Sequence, residues 1–258
     1  MLRSASKLKN FRILASDGEV GKVKDIYFDD QSWTVRYFIV DTGTWLKSRQ
    51  VLVSPVAVSQ ARWEQQALDV TLTRQQVHNS PGIDADKPVS RQQETSLVQY
   101  YGWPMYWEGY FAAYPPVGMA MPLQPAMPGM GPATIAAETA VVQRQQKGDP
   151  HLRSQRELVG YDIHAINGDA GHVDDMLVED GQWIMRYIVV DTRNWLPGRR
   201  VLISPQWVLS VDWLRRKVGV DLLKKEIKQA PVFDPTQEVT RQYEDAVFEY
   251  YGRDKYWL

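Results

Sequence analysis

Sliding the chain of 258 residues against itself lays residue n on residue n+150 without a gap from Leu2 to Trp107. The clearest pair is VRYFIVDTGTWLKSRQVLVSP (Val35 to Pro55) against MRYIVVDTRNWLPGRRVLISP (Met185 to Pro205). Identities run on through Trp63/Trp213, Pro81/Pro231, the Arg91-Gln92/Arg241-Gln242 dipeptides and Glu94/Glu244 to two aromatic octets, YYGWPMYW (Tyr100 to Trp107) and YYGRDKYW (Tyr250 to Trp257). Ungapped self-similarity over a whole domain length goes far beyond shared composition, and its period is too long for a solenoid. We therefore expect a tandem pair, residues 1–108 and 152–258, each long enough to bury its own core.

Residues 109–151 join the copies. From Gly109 to Ala137 there is no charge, and six prolines forbid a regular helix or central strand. The plain reading is a flexible, partly polyproline linker. The sharper one makes Tyr110, Phe111, Tyr114, Met119 and Met121 an adaptable surface for a partner protein or lipid headgroups. Prolines at that density argue against a transmembrane hairpin.

Charge narrows the function classes. The net charge is −1, with 13 basic against 12 acidic residues in the first copy and 15 against 17 in the second, so no basic field is available for sequence-independent nucleic-acid binding. There is no cysteine, which excludes disulfides, thiolate metal sites and a cysteine nucleophile. No apolar run approaches the ~18 residues of a membrane span, and the N-terminus lacks a secretory signal's apolar region. The expected location is cytoplasmic, with the periphery of the inner membrane as the alternative.

Within each copy the turn signals are regular. Asp17-Gly18 and Asn167-Gly168 predict two-residue hairpins with positive φ at both positions, pairing Phe11 to Ala15 with Val20 to Phe28, and Tyr161 to Ala165 with Ala170 to Val178. A second turn leads into Trp33 to Asp41 or Trp183 to Asp191, apolar on both faces and so covered on both sides. Three shorter strands per copy then suggest a closed or nearly closed small barrel. A helical turn follows at Thr73 to His78 or Leu223 to Lys228. Last comes a helix from Ser90 or Thr240 to Tyr101 or Tyr251, stopped by Gly102 or Gly252. The fold class is mainly β, two small barrels each with a C-terminal helix and aromatic tail.

The pattern DGxxGKVKDIYFDD, WxVRYFIVDTGTWL, RQVLVSP and YYGWPxYW resembles the PRC-barrel family, and both copies carry it over essentially their full lengths. That family includes the cytoplasmic domain of the photosynthetic reaction-centre H chain and the C-terminal domain of a ribosome maturation factor. The resemblance implies a small β-barrel used as an adaptor, with no catalytic residues to carry over. The chain departs from both relatives, showing neither the H chain's membrane helix nor the ribosome factor's separate N-terminal domain, and is most similar to stand-alone bacterial PRC-barrel proteins.

Candidate chemistry is sparse. His164 and His172 flank one turn and could approach each other as a two-histidine metal site, but no histidine recurs in both copies, and the expectation is no metal and no cofactor. The recurring carboxylates Asp25/Asp175, Asp30/Asp180, Asp41/Asp191 and Asp84/Asp234 read as structural rather than as an acid–base pair, the last three pairs sitting in turns or Pro-containing loops. Glu94 and Glu244 fall in the apolar helix stripe and need a cation. Arg36 and Arg186, projecting beside Phe38 and Val40 or their equivalents, are expected to meet them and clamp helix to barrel, with Arg91 and Arg241 as competing partners. Tyr100, Tyr101, Tyr106 and Trp107, with Tyr250, Tyr251, Tyr256 and Trp257, are expected to end the helix and return as a lid.

The leading functional expectation is a non-enzymatic adaptor or scaffold that binds a protein partner, its barrels packed as an intramolecular pseudo-dimer. Alternatives are a peripheral component of a membrane or photosynthetic reaction-centre-like complex, and a ribosome-assembly factor that contacts protein rather than RNA.

Overall fold

The computed structural model describes residues 1–46, 49–82, 89, 91–106, 151–192 and 199–258. The protein is mainly β. Its first half carries β1 (Leu2–Ser4), β2 (Arg12–Ala15), β3 (Gly18–Asp29), β4 (Thr34–Asp41), β5 (Gln50–Val53), β6 (Val58–Arg62) and β7 (Ala67–Val70), then α1 (Arg74–Asn79) and α2 (Arg91–Tyr101). Its second half carries β8 (Leu152–Ser154), α3 (Gln155–Leu158), β9 (Asp162–Ala165), β10 (Gly168–Glu179), β11 (Ile184–Asp191), β12 (Arg200–Ile203), β13 (Val208–Asp212), β14 (Lys217–Val220), α4 (Lys224–Gln229) and α5 (Arg241–Tyr251).

The hairpin turns differ in detail from the sequence expectation. Ala15 pairs with Gly18 and Ala165 with Gly168, so the turn residues are Ser16-Asp17 and Ile166-Asn167, and only the glycines take positive φ, at 139° and 126°. The side chains freed from the type I′ geometry do something else. Asp17 Oδ1 accepts from the backbone N–H of Arg74 at 2.7 Å, and Asn167 Oδ1 from that of Lys224 at 2.8 Å, fastening each hairpin tip to the first turn of α1 or α4. Gly21 and Gly171 are required by close approach: a Cβ there would lie 2.1 Å from the Asp41 carbonyl oxygen or 2.3 Å from that of Asp191.

Strand pairing follows one path, β13-β14-β9-β10-β11-β4-β3-β2-β7-β6, with β5 on β4 and β12 on β11. The pairings of the second half repeat those of the first at an offset of 150, including the parallel ladders Arg12↔Ala67 and Asp162↔Lys217. Among the described residues no ladder joins β5 to β6 or β12 to β13. Short 3-10 turns, Pro55–Ala57 and Pro205–Trp207, make those corners, and the segment at Val232 bridges Val201. Because Pro55 and Pro205 cannot donate to a ladder, the sheet bends there instead of closing.

Both faces of β4 and β11 are buried, as their two-sided apolar pattern requires. The C-terminal helix, however, does not cover the Phe38/Val40 face. Leu97 of α2 packs with Tyr37, Ile39 and Leu52, while Phe38 and Val40 join the main core, which runs continuously through both halves. The helix stripe is as anticipated: Glu94, Leu97 and Val98 are buried, as are Glu244, Val247 and Phe248. Thr240 caps α5 by accepting from the Tyr243 N–H, and Gly252 ends it in the left-handed conformation at φ 61°.

Candidate functional site

Two strands of three residues each, invisible as strands in the sequence, determine how the halves meet. β1 of the first half lies antiparallel on β10 of the second, pairing Leu2 with Glu179, Arg3 with Val178 and Ser4 with Leu177. β8, at the start of the second half, lies on β3 of the first, pairing Leu152 with Asp29, Arg153 with Phe28 and Ser154 with Tyr27. The exchange is reciprocal. Between the two crossings β4 and β11 touch at Thr34 and Ile184, the Val35 N–H donates to the Trp183 carbonyl, and the Met185 N–H donates to that of Trp33, both at 2.8 Å. Phe38 meets Trp183 edge to face at 5.0 Å.

Aspartates anchor each crossing. Asp25 and Asp175 sit at register shifts in β3 and β10, where a bulge re-aims the side chain toward the neighbouring half. Ser154 Oγ donates to Asp25 at 2.6 Å, and Ser4 and Ser6 donate to Asp175, the latter at 2.8 Å. Asp30 and Asp180 form a second pair of anchors. Asp30 holds His151 at 2.9 Å, Arg153 at 3.6 Å and the indole N–H of Trp213 at 3.2 Å, and the Arg153 guanidinium lies 4.4 Å over the Trp213 ring. Asp180 holds the Met1 ammonium at 2.5 Å and Arg3 at 3.7 Å, with Arg3 over Trp63 at 5.5 Å. An offset of 150 again relates the partners.

A groove of about 500 Å³ opens along this seam. One wall is the first-half turn Asp30 to Trp33; the other is the start of β11 and the length of β13, with Leu209 on its lip 68% exposed. His151, Arg186, Trp213 and Tyr256 also line it. Of the sequence-derived clamp and lid residues, Arg186 and Tyr256 reach this groove.

The clamp itself is indirect. Glu244 is 3% exposed and accepts hydrogen bonds on Oε1 from Tyr187 at 2.9 Å and Tyr256 at 2.7 Å, while Oε2 meets Arg241 at 3.0 Å. Arg186 pairs instead with Glu179 at 2.6 Å and lies 4.3 Å over the Tyr256 ring. The competing cation, Arg241, takes the carboxylate because it sits one helical turn away, whereas Arg186 leaves the sheet beside Glu179. Tyr256 is the link, its hydroxyl on Glu244 and its π face under Arg186. In the first half the Tyr106 hydroxyl donates to Glu94 at 2.6 Å, and Arg36 lies 4.0 Å over the Tyr106 ring. Burial pushes the Tyr187 and Tyr256 hydroxyls well above the ordinary phenol range, and the neighbouring Glu244 carboxylate adds to the effect. Burial also lowers the Arg36 guanidinium, opposed by Asp29.

The remaining lid residues have separate tasks. Tyr100 and Tyr250 donate to the Gln76 and Glu226 carbonyls, each at 2.9 Å, tying the long helix to the short one before it. Tyr101 stacks on Trp103 at 4.2 Å, Tyr251 packs on Trp207 at 4.8 Å and Trp257 returns onto Phe248 at 5.1 Å. Trp107 and the linker residues Tyr110, Phe111, Tyr114, Met119 and Met121 lie outside the described residues. His164 is taken by Asp169 at 2.8 Å, and no cluster of three metal-ligating side chains occurs among the described residues. Asp41 and Asp234 accept from the Gly43 and Thr236 N–H groups as turn residues. No described helix is long and apolar enough to cross a membrane.

Comparison with protein families gives one match: residues 2–76 fit the PRC-barrel domain model. The N-terminal part of this chain is thus similar to a PRC-barrel domain over less than half of the chain's length. The match spans β1 to the first turn of α1 and so takes in Asp25, Asp30 and the exchanged strand. No curated protein matches the chain. Sequence reasoning misses the seam anchors because the recurring pairs Asp25/Asp175 and Asp30/Asp180 read as structural residues of their own copy, not as partners of the other. Their recurrence with the Leu-Arg-Ser triplets Leu2 to Ser4 and Leu152 to Ser154 was the available signal.

Proposed function

We propose that the protein is a non-enzymatic adaptor in which two PRC-type barrels, paired as an intramolecular pseudo-dimer, offer the groove between them to a protein partner. The reciprocal exchange of β1 and β8 carries this reading. A pair of modules that merely shared a tether would have no reason to thread each other's sheets, whereas a binding surface assembled from both halves needs them held in one arrangement. On this reading the six strands of each half, with their proline corners and covering helix, form a small barrel. The second half is then a PRC barrel by its register and its offset identities. The titratable groups along the groove serve the seam: Asp30 and His151 hold each other, and Arg186 holds Glu179.

The test uses the full chain and the Leu209→Glu variant, whose side chain is exposed enough to change without disturbing the core. A partner identified by capture from native extract is purified and titrated against both proteins. Binding weakened by about tenfold or more in the variant supports the groove. Equal affinity for both places the binding surface elsewhere, and turnover of a substrate by the purified chain overturns the non-enzymatic reading.

A further inference from the structure

Each half offers a strand and a slot, and the two slots are chemically alike. The β3 slot presents Asp25, Asp29 and Asp30; the β10 slot presents Asp175, Glu179 and Asp180. The inserted strands are both Leu-Arg-Ser, with serine on the first aspartate and arginine near the third. The position preceding each triplet is matched too, His151 on Asp30 and the Met1 ammonium on Asp180. A half therefore carries a strand that suits its own slot, which is the condition for an isologous interface.

We propose that the seam is a homotypic docking surface whose partner is a second copy of this chain: β1 of one molecule enters the β10 slot of another, and β8 the β3 slot. The proposal rests on the paired-barrel reading above and adds a partner to it. Both ends of the connection between halves lie on one side of the seam. Tyr106 sits under Arg36, whose Nη2 donates to Ser32 Oγ at 3.1 Å, and His151 contacts the adjoining Asp30 and Gln31. The contacts are the same whichever chain supplies the strand, so closed monomer and exchanged dimer differ mainly in whether strand and slot belong to one molecule. Because both halves belong to one chain, the closed monomer dominates in dilute solution and the exchanged form grows as the protein concentration rises.

The chain has no cysteine, which makes the test simple. A full-length Leu2→Cys chain is mixed with a full-length Glu179→Cys chain, incubated at about 1 mM under warming that opens the seam, and oxidised. These positions face each other in the β1–β10 register. The expected result is a disulfide-linked heterodimer joining positions 2 and 179, with a yield that rises with concentration and exceeds the same-variant dimers by about tenfold. An Asp175→Ala change in the Glu179→Cys chain should reduce that yield. No heterodimer at the highest concentration, or a yield equal to that of the same-variant dimers, overturns the proposal. Leu209 lies on β13, outside the β1–β10 and β3–β8 ladders, so either idea can fail alone.

Discussion

Glu244 is a buried carboxylate whose three donors come from three different elements: Tyr187 from β11, Arg241 from its own helix and Tyr256 from the returning tail. Glu244→Gln should cost about 1–3 kcal/mol, because the buried Tyr187 hydroxyl and the half-buried Tyr256 hydroxyl lose a charged acceptor. A double-mutant cycle with Tyr256→Phe should show coupling above about 0.5 kcal/mol; strict additivity in urea denaturation would detach the tyrosine from the carboxylate. Gly171→Ala should be worse, at more than about 3 kcal/mol, since its Cβ would sit 2.3 Å from the Asp191 carbonyl oxygen. At this scale the sequence was half legible. The helix stripe marked Glu94 and Glu244 as buried and in need of a cation. It could not say that Arg241 would win over Arg186, because Glu179 lies beside Arg186 only through the β10–β11 register. Nor could it show the Asp17 side chain reaching from its turn to the first turn of α1, a contact that depends on where α1 returns.

The returning tail and long helix of the second half act as one element. Tyr256 and Trp257 pack on Phe248, and the Arg241 guanidinium lies 4.3 Å over Trp257. Truncating Tyr256 to Leu258 should lower the thermal midpoint by roughly 5–10 °C, a few kcal/mol spread over a chain of this size. An unchanged midpoint would mean the tail stabilises nothing. The same cluster predicts sensitivity to base. Burial raises Tyr187, Tyr251 and Tyr256 above the ordinary phenol value and pushes Tyr243 up to about 12. The unfolded chain releases those protons near pH ~10 while the folded one keeps them, so the stabilisation is complete below that pH and is lost as pH rises through the folded values. Urea midpoints should fall as pH rises from about 10 toward about 12, and phenolate absorbance should appear together with loss of β-sheet circular dichroism. These tyrosines ionising near their ordinary value in an intact fold would contradict the buried cluster. The octets were legible as a helix stop and an aromatic return because Gly102 and Gly252 punctuate them. The division of labour between Tyr250, which ties α5 to α4, and Tyr256, which reaches the sheet, was not.

Across the whole molecule, the offset of 150 residues relates the strand registers of the two halves, yet it gives no sign of where the N-terminal segment of each half lies. Residues 1–6 and 151–156 sit on the other half's sheet. Three-residue polar strands have no periodicity to detect, and their partner is roughly 175 residues away for β1, a separation that local pattern reasoning does not reach. The consequence is a continuous core and, we expect, a single cooperative unfolding transition, where two tethered barrels would give two. The most direct measurement places both cysteines in one chain, Leu2→Cys with Glu179→Cys, and oxidises it at low concentration. Strand exchange predicts a disulfide closed within one molecule, free thiols lost without any doubling of mass, and faster migration of the denatured chain. Free thiols that persist in the folded protein would contradict it.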